Sequence, residues 1–185
     1  MHYSGRQCQD HLHGQSRREV IRDMSEDPEK DALKVLEDVW RDRPLPVDPV
    51  YIARELGVEV FVAELAAGWS GALVKRSFED AEIFLNRGDS LNRQRFSCAH
   101  ELGHWVRRGA VDQDTYEYVD RRDARASSGT HAEEIYANQF AAALLMPVHE
   151  VRQAYEEGVP ASLMAYRFGV SAEAMNFRIK NLRLS

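Results

Sequence analysis

At 185 residues, with 44% hydrophobic and 29% charged residues, the chain can bury one respectable core, and it holds no apolar stretch long enough to span a membrane as a helix. Its formal charge of −6 and pI near 5.7 exclude a broadly basic surface for coating nucleic acid. Two cysteines, Cys8 and Cys98, are too few for a disulfide framework, and residues 1–8 lack the apolar run of a secretory signal, so a reducing cytoplasm is the expected location.

In chain order, residues 1–27 are polar, carry His2, His11 and His13, and read as a solvated, poorly ordered tail. Asp31 to Trp40 has the period of an amphipathic helix, closed by Pro44-Leu45-Pro46. A second helix is predicted at about 48–56, ending at Gly57. Val58 to Val62 alternates as a strand. Residues 71–75 and 81–86 read as two more, joined by a polar turn near Glu79-Asp80.

The run His100-Glu101-Leu102-Gly103-His104 follows, inside a segment whose Phe96, Ala99, Leu102, Gly103 and Val106 recur at helical steps. Arg107, Arg108 and Gly109 suit the helix end, where cations meet the negative dipole and glycine supplies the cap. Residues four apart on a helix stand one above the other, so His100 and His104 can share one metal ion. Glu101, beside the first imidazole, can take a proton from a water that the metal activates. Gly103 costs helix propensity, and its missing side chain admits another element close to the site. Cys98 lies two residues before His100, about half a turn away, and is expected to be a packing thiol rather than a ligand.

A catalytic zinc site usually has three protein ligands, so a third is needed. Residues 110–132 are polar and without clear period, with the length of a functional lid or a disordered segment. His131 to Leu145 then reads as a strong helix, stopped by Pro147. Glu134 and Asn138 share one face of it. Glu134 can bind the metal, and Asn138 can orient a ligand histidine by bonding its distal nitrogen. Glu133 and His131 compete with Glu134. Tyr116, Tyr118, His131 and Tyr136 are all candidates for the donor that a tetrahedral oxyanion needs, and the sequence does not choose among them.

Ala161 to Ser171 resembles the first helix and turn of a helix-turn-helix, with Ala172 to Leu182 as its second helix. Residues 161–185 carry Arg167, Arg178, Lys180 and Arg183 against Glu173, four cations to one anion, so the local charge is +3. DNA contact is one reading of this segment; packing against the core or recognition of a substrate is the preferred one. The expected division is a tail at 1–27, a main domain at 28–150 and a helical segment at 151–185.

Two stretches together resemble the ImmA/IrrE metallopeptidases. One is Asn92-Arg93-Gln94-Arg95-Phe96 leading into His100-Glu101-Leu102-Gly103-His104. The other is Glu134-Ile135-Tyr136-Ala137-Asn138-Gln139-Phe140-Ala141, running on to Leu144-Leu145-Met146-Pro147. Likeness extends from about residue 28 to the C-terminus and takes in Asp48 to Val60 and Arg167-Phe168-Gly169-Val170-Ser171. The resemblance implies an α+β fold with a zincin-like core, a small mixed or antiparallel sheet beside the metal-binding helix, and a helix-turn-helix-like C-terminal segment. It implies His100, His104 and Glu134 as zinc ligands and Glu101 as general base. It also implies a cytoplasmic, gluzincin-like endopeptidase whose protein substrate is a helix-turn-helix repressor of a mobile element or stress regulon. The chain departs from the family at Trp105-Val106-Arg107-Arg108-Gly109, where relatives more often carry an apolar pair and another histidine.

Zinc peptidases often hold extended substrate on an edge strand. Residues 69–75 are the candidate here, with Gly71, Ala72 and Leu73 as contacts. Two rival readings stand beside the peptidase: a metal-containing module that sequesters a partner without cutting it, and a DNA-binding regulator acting through residues 161–185. Manganese or another divalent ion is an alternative occupant, because a His-His-Glu set is not strictly zinc-selective.

Overall fold

The computed structural model describes residues 24–75, 81–109 and 131–184 and the backbone of 118–121. The N-terminal stretch 1–23, the turn near Glu79-Asp80, Tyr116 and nearly all of the 110–130 connection lie outside the described residues.

The first helix, α1 (Pro28–Val35), begins earlier than its apolar period suggests because Asp27-Pro28 starts it. Asp27 accepts from the backbone N–H of Glu29 at 3.1 Å and of Lys30 at 3.4 Å, and Pro28 occupies a first-turn position that has no N–H to lose. Residues 24–27 are therefore part of the fold: Met24 packs on the core and Ser25 bonds Asp31. A π-helical turn, Leu36–Trp40, extends α1. Asp48 caps α2 (Pro49–Glu55) in the same way, accepting from Val50 N–H at 2.9 Å.

Among the described residues, β1 (Glu59–Ala63), β2 (Gly71–Lys75), β3 (Glu82–Asn86) and β4 (Tyr118–Arg121) form one mixed sheet in the order β1-β3-β2-β4. β1 runs parallel to β3, and β2 is antiparallel to both β3 and β4. Val60, Leu73, Ile83 and Leu85 are buried on one face. The long helix α3 (Leu91–Gly109) lies against β2 and β3, and α4 (His131–Leu145) packs along α3, with α1 on the far side of α4. The result is an α+β fold in which a sheet and a helix sandwich α3.

The expected edge strand is corrected by this topology. β2 is interior: Ala72 and Leu73 pair with Phe84 and Ile83 of β3 on one side and with Arg121 and Asp120 of β4 on the other. Their backbone groups are engaged in the ladder, which leaves no free edge for an added strand. Among the described residues β4 is the edge on that side.

The C-terminal helices α5 (Val148–Glu156), α6 (Ala161–Phe168) and α7 (Ala172–Asn181) share the same core through Val151, Met164, Phe168, Met175 and Ile179. Gly169 takes a left-handed conformation (φ 63°) to end α6, and Ser171 caps α7 by accepting from Ala174 N–H. The turn between them is held by α3: Arg95 Nε donates to Gly169 O at 3.0 Å, and Asn92 Nδ2 donates to Val170 O at 3.0 Å. Arg178 of α7 is only 5% exposed. Its Nε donates to Met146 O at 3.0 Å, and its two terminal guanidinium nitrogens pair with the Glu29 carboxylate of α1. Residues 151–184 therefore close the core rather than stand apart from it.

Candidate functional site

α3 presents His100 and His104 on one face, one turn apart, with their Nε2 atoms 3.1 Å from each other. Glu134, in the first turn of α4, brings Oε1 to 3.3 Å from His104 Nε2 and Oε2 to 3.6 Å from His100 Nε2. Donor atoms bound tetrahedrally at about 2.0–2.1 Å stand roughly 3.3–3.4 Å apart, so two imidazole nitrogens 3.1 Å apart, each with one of the two Glu134 oxygens 3.3–3.6 Å away, are close enough to share a divalent cation. Two imidazoles and a carboxylate are also the right chemistry for one. Among the described residues this is the one trio of histidine, cysteine and acidic side chains close enough to hold a metal. Glu133 and His131 are not in it, and Cys98 is fully buried, its thiol pushed up by that burial and by nearby Asp48 and Glu101.

Both histidines and Glu101 are buried, whereas the Glu134 side chain is 24% exposed. The site thus opens to solvent on the α4 side. Asn138, one turn after Glu134, places Oδ1 3.2 Å from His100 Nδ1. With the proton on Nδ1 directed at Asn138, His100 offers its Nε2 lone pair toward His104 and Glu134. Losing that partner frees the ring to rotate and to change tautomer. Asn138→Ala is expected to weaken metal binding about 10- to 100-fold, read by competition with a chelating dye. Unchanged affinity would show that the ring is oriented by its packing alone.

Close helix approach makes the trio possible. A Cβ built on Gly103 would stand 3.1 Å from Ala137 Cα and 3.1 Å from the Phe140 ring, so α4 lies against the bare backbone of α3. Gly103 is the contact point, and Ala137 lies between Glu134 and Asn138 on the facing helix.

Tyr136 is excluded from the oxyanion role that the sequence left open. Its hydroxyl donates to buried Asp31 at 2.5 Å, and Arg107 lies over its ring at 4.9 Å. Burial and the Asp31 carboxylate hold the phenol protonated far above its ordinary range. Asp31 also accepts from Ser25 N–H and Oγ, so this carboxylate ties the residues just before α1 to the helix that carries Glu134. His131 is exposed at the first position of α4. Sequence reasoning misses Asp31, because an acid on an amphipathic helix reads as solvent-facing until its buried partner Tyr136 is known.

A family model described as the IrrE N-terminal-like domain, a peptidase family, matches residues 53–180. The chain belongs to this family. The IrrE-like span contains His100, Glu101, His104 and Glu134, and it runs on through α6 and most of α7. The peptidase family and the C-terminal helices are thus one matched unit. No curated protein matches the chain. No helix among the described residues is long and apolar enough to cross a membrane.

Proposed function

We propose that this IrrE-like chain is a zinc-dependent endopeptidase of the gluzincin kind, built on a zincin-like core, that cleaves a helix-turn-helix transcriptional repressor of a mobile element or stress regulon. The observation that carries the reading is the meeting of His100, His104 and Glu134 beside buried Glu101 in a chain of a peptidase family. His100, His104 and Glu134 would hold the ion, which when bound supplies a Lewis acid for the scissile carbonyl and lowers the pKa of water. Glu101 takes the proton of the attacking water and hands it to the amine nitrogen as the C–N bond breaks. Asn138 holds the His100 ring. The accessible face of Glu134 marks the side from which a peptide enters, and the edge of β4 offers backbone groups for an extended substrate. Zinc is the preferred ion for this donor set, and manganese the alternative that metal analysis separates from it.

A repressor is a cytoplasmic protein, so the reading places the enzyme in the cytoplasm. DNA binding by the C-terminal helices draws less support. Of the four cations there, Arg178 is turned inward to Glu29 and Arg167 lies 3.5 Å from Glu150. The substrate class is tested by mixing the metal-loaded protein with helix-turn-helix repressors from its own genome. Two fragments by mass spectrometry are expected, and an intact repressor after prolonged incubation would sink that substrate.

A further inference from the structure

We propose that Gly71 of β2 is a positioning residue for Glu101, its missing side chain setting where the carboxylate stands; the inference rests on the peptidase reading for its catalytic meaning. Glycine weakens a strand interior, so its presence at the start of β2 calls for a cause. Backbone conformation is not that cause, since the positive-φ glycines are Gly57, Gly68, Gly158 and Gly169. Space is. A Cβ built on Gly71 would stand 3.0 Å from Glu101 Oε1, 3.3 Å from Glu101 Cγ and 3.3 Å from Ser97 Cβ.

Ser97 and Glu101 are four apart on α3, hence on one face, and both are buried. Gly71 and Leu73 are two apart on β2, hence on the sheet face that carries buried Leu73. The bare Cα of Gly71 therefore closes one wall of the space that holds Glu101, and Ser97 closes the next. Carbon and oxygen atoms settle at about 3.5 Å or more, so a methyl at position 71 forces the carboxylate to shift by several tenths of an ångström. The strand side is held by the pairing of Gly71 with Leu85 of β3 and of the next residue, Ala72, with both β3 and β4, and the helix side by the core. Glu101 is the part that can yield. A general base works only within hydrogen-bond reach of the proton it moves, which makes a small displacement costly in kcat while leaving substrate contacts elsewhere intact.

The test is a cycle of Gly71→Ala, Glu101→Ala and the double variant. Gly71→Ala is expected to lower kcat about 10- to 100-fold with KM within about threefold and metal content unchanged. It is also expected to lower the melting temperature more in the native background than in the Glu101→Ala background, where Cγ and the carboxylate are gone and only the 3.3 Å approach to Ser97 Cβ remains. If Gly71→Ala fails to fold alone, recovery of folding in the double variant supports the proposal and failure of both overturns it. An equal melting-temperature loss in the two backgrounds, or an unchanged kcat, also overturns it. The melting cycle needs no substrate, so absence of cleavage by the native chain would count against the peptidase reading and leave the Gly71–Glu101 coupling to be judged separately.

Discussion

Glu101→Gln is expected to lower kcat by about 10²- to 10⁴-fold while leaving metal content and melting temperature near those of the native chain. The amide keeps the size and shape of the carboxylate, so the buried space between Gly71 and Ser97 stays filled. It cannot accept a proton at neutral pH. His100, His104 and Glu134 are untouched by the change, and their mutual distances do not involve Glu101. Loss of cleavage with retained metal separates a base from a ligand, and an enzyme from a module that merely holds a partner. Cleavage at the native rate by Glu101→Gln would remove Glu101 from the chemistry. A biological effect that survives in a cleavage-dead Glu101→Gln variant would favour sequestration over proteolysis.

The second large effect is expected at Gly103, where the damage is to the frame of the site. Gly103→Val places a branched side chain where a single Cβ already meets Ala137 Cα at 3.1 Å and Phe140 at 3.1 Å. Phe140 is fully buried and the Ala137 contact is backbone, so neither yields without moving α4. Overpacking of this kind costs about 1–3 kcal/mol and sometimes more. Ala137 is three residues after Glu134 and one before Asn138, so a shift of α4 carries the third candidate ligand and the His100 partner away from α3 together. Urea unfolding should show an earlier midpoint, and metal titration a loss of more than about tenfold in affinity. A variant with native midpoint and native affinity would mean that the helices tolerate separation and that their close approach does not build the site.

The order of the main helices and of the first three strands could be read from local pattern because each rests on nearby residues, whereas the α+β class came with the family resemblance. The His100-to-His104 spacing implies one shared helix face, and the structure puts the two Nε2 atoms 3.1 Å apart. Pro147 marks the end of α4, whose last residue is Leu145. What local pattern hid is what depends on distant partners. β4 carries no clear alternation, and it is a strand because it pairs with β2, more than forty residues earlier. Without that pairing β2 looked like an edge, and Gly71, Ala72 and Leu73 looked open to substrate. Arg178 looked like a solvent-facing cation on a recognition-like helix, yet its partner Glu29 lies 149 positions away in sequence. Asp27-Pro28 was a readable start signal, and the amphipathic period beginning at Asp31 masked it. Gly71 gave no signal as a neighbour of Glu101, because the contact joins a strand to a helix across the core.

The proposed divalent metal site needs α3 and α4 together. Elemental analysis of the purified chain, compared with His104→Ala, tests it most directly. About one zinc per chain is expected, lost in His104→Ala while the far-ultraviolet spectrum of the variant keeps its helical form. A native chain that takes up no divalent metal after reconstitution at neutral pH, or one that keeps its metal in His104→Ala, would contradict it.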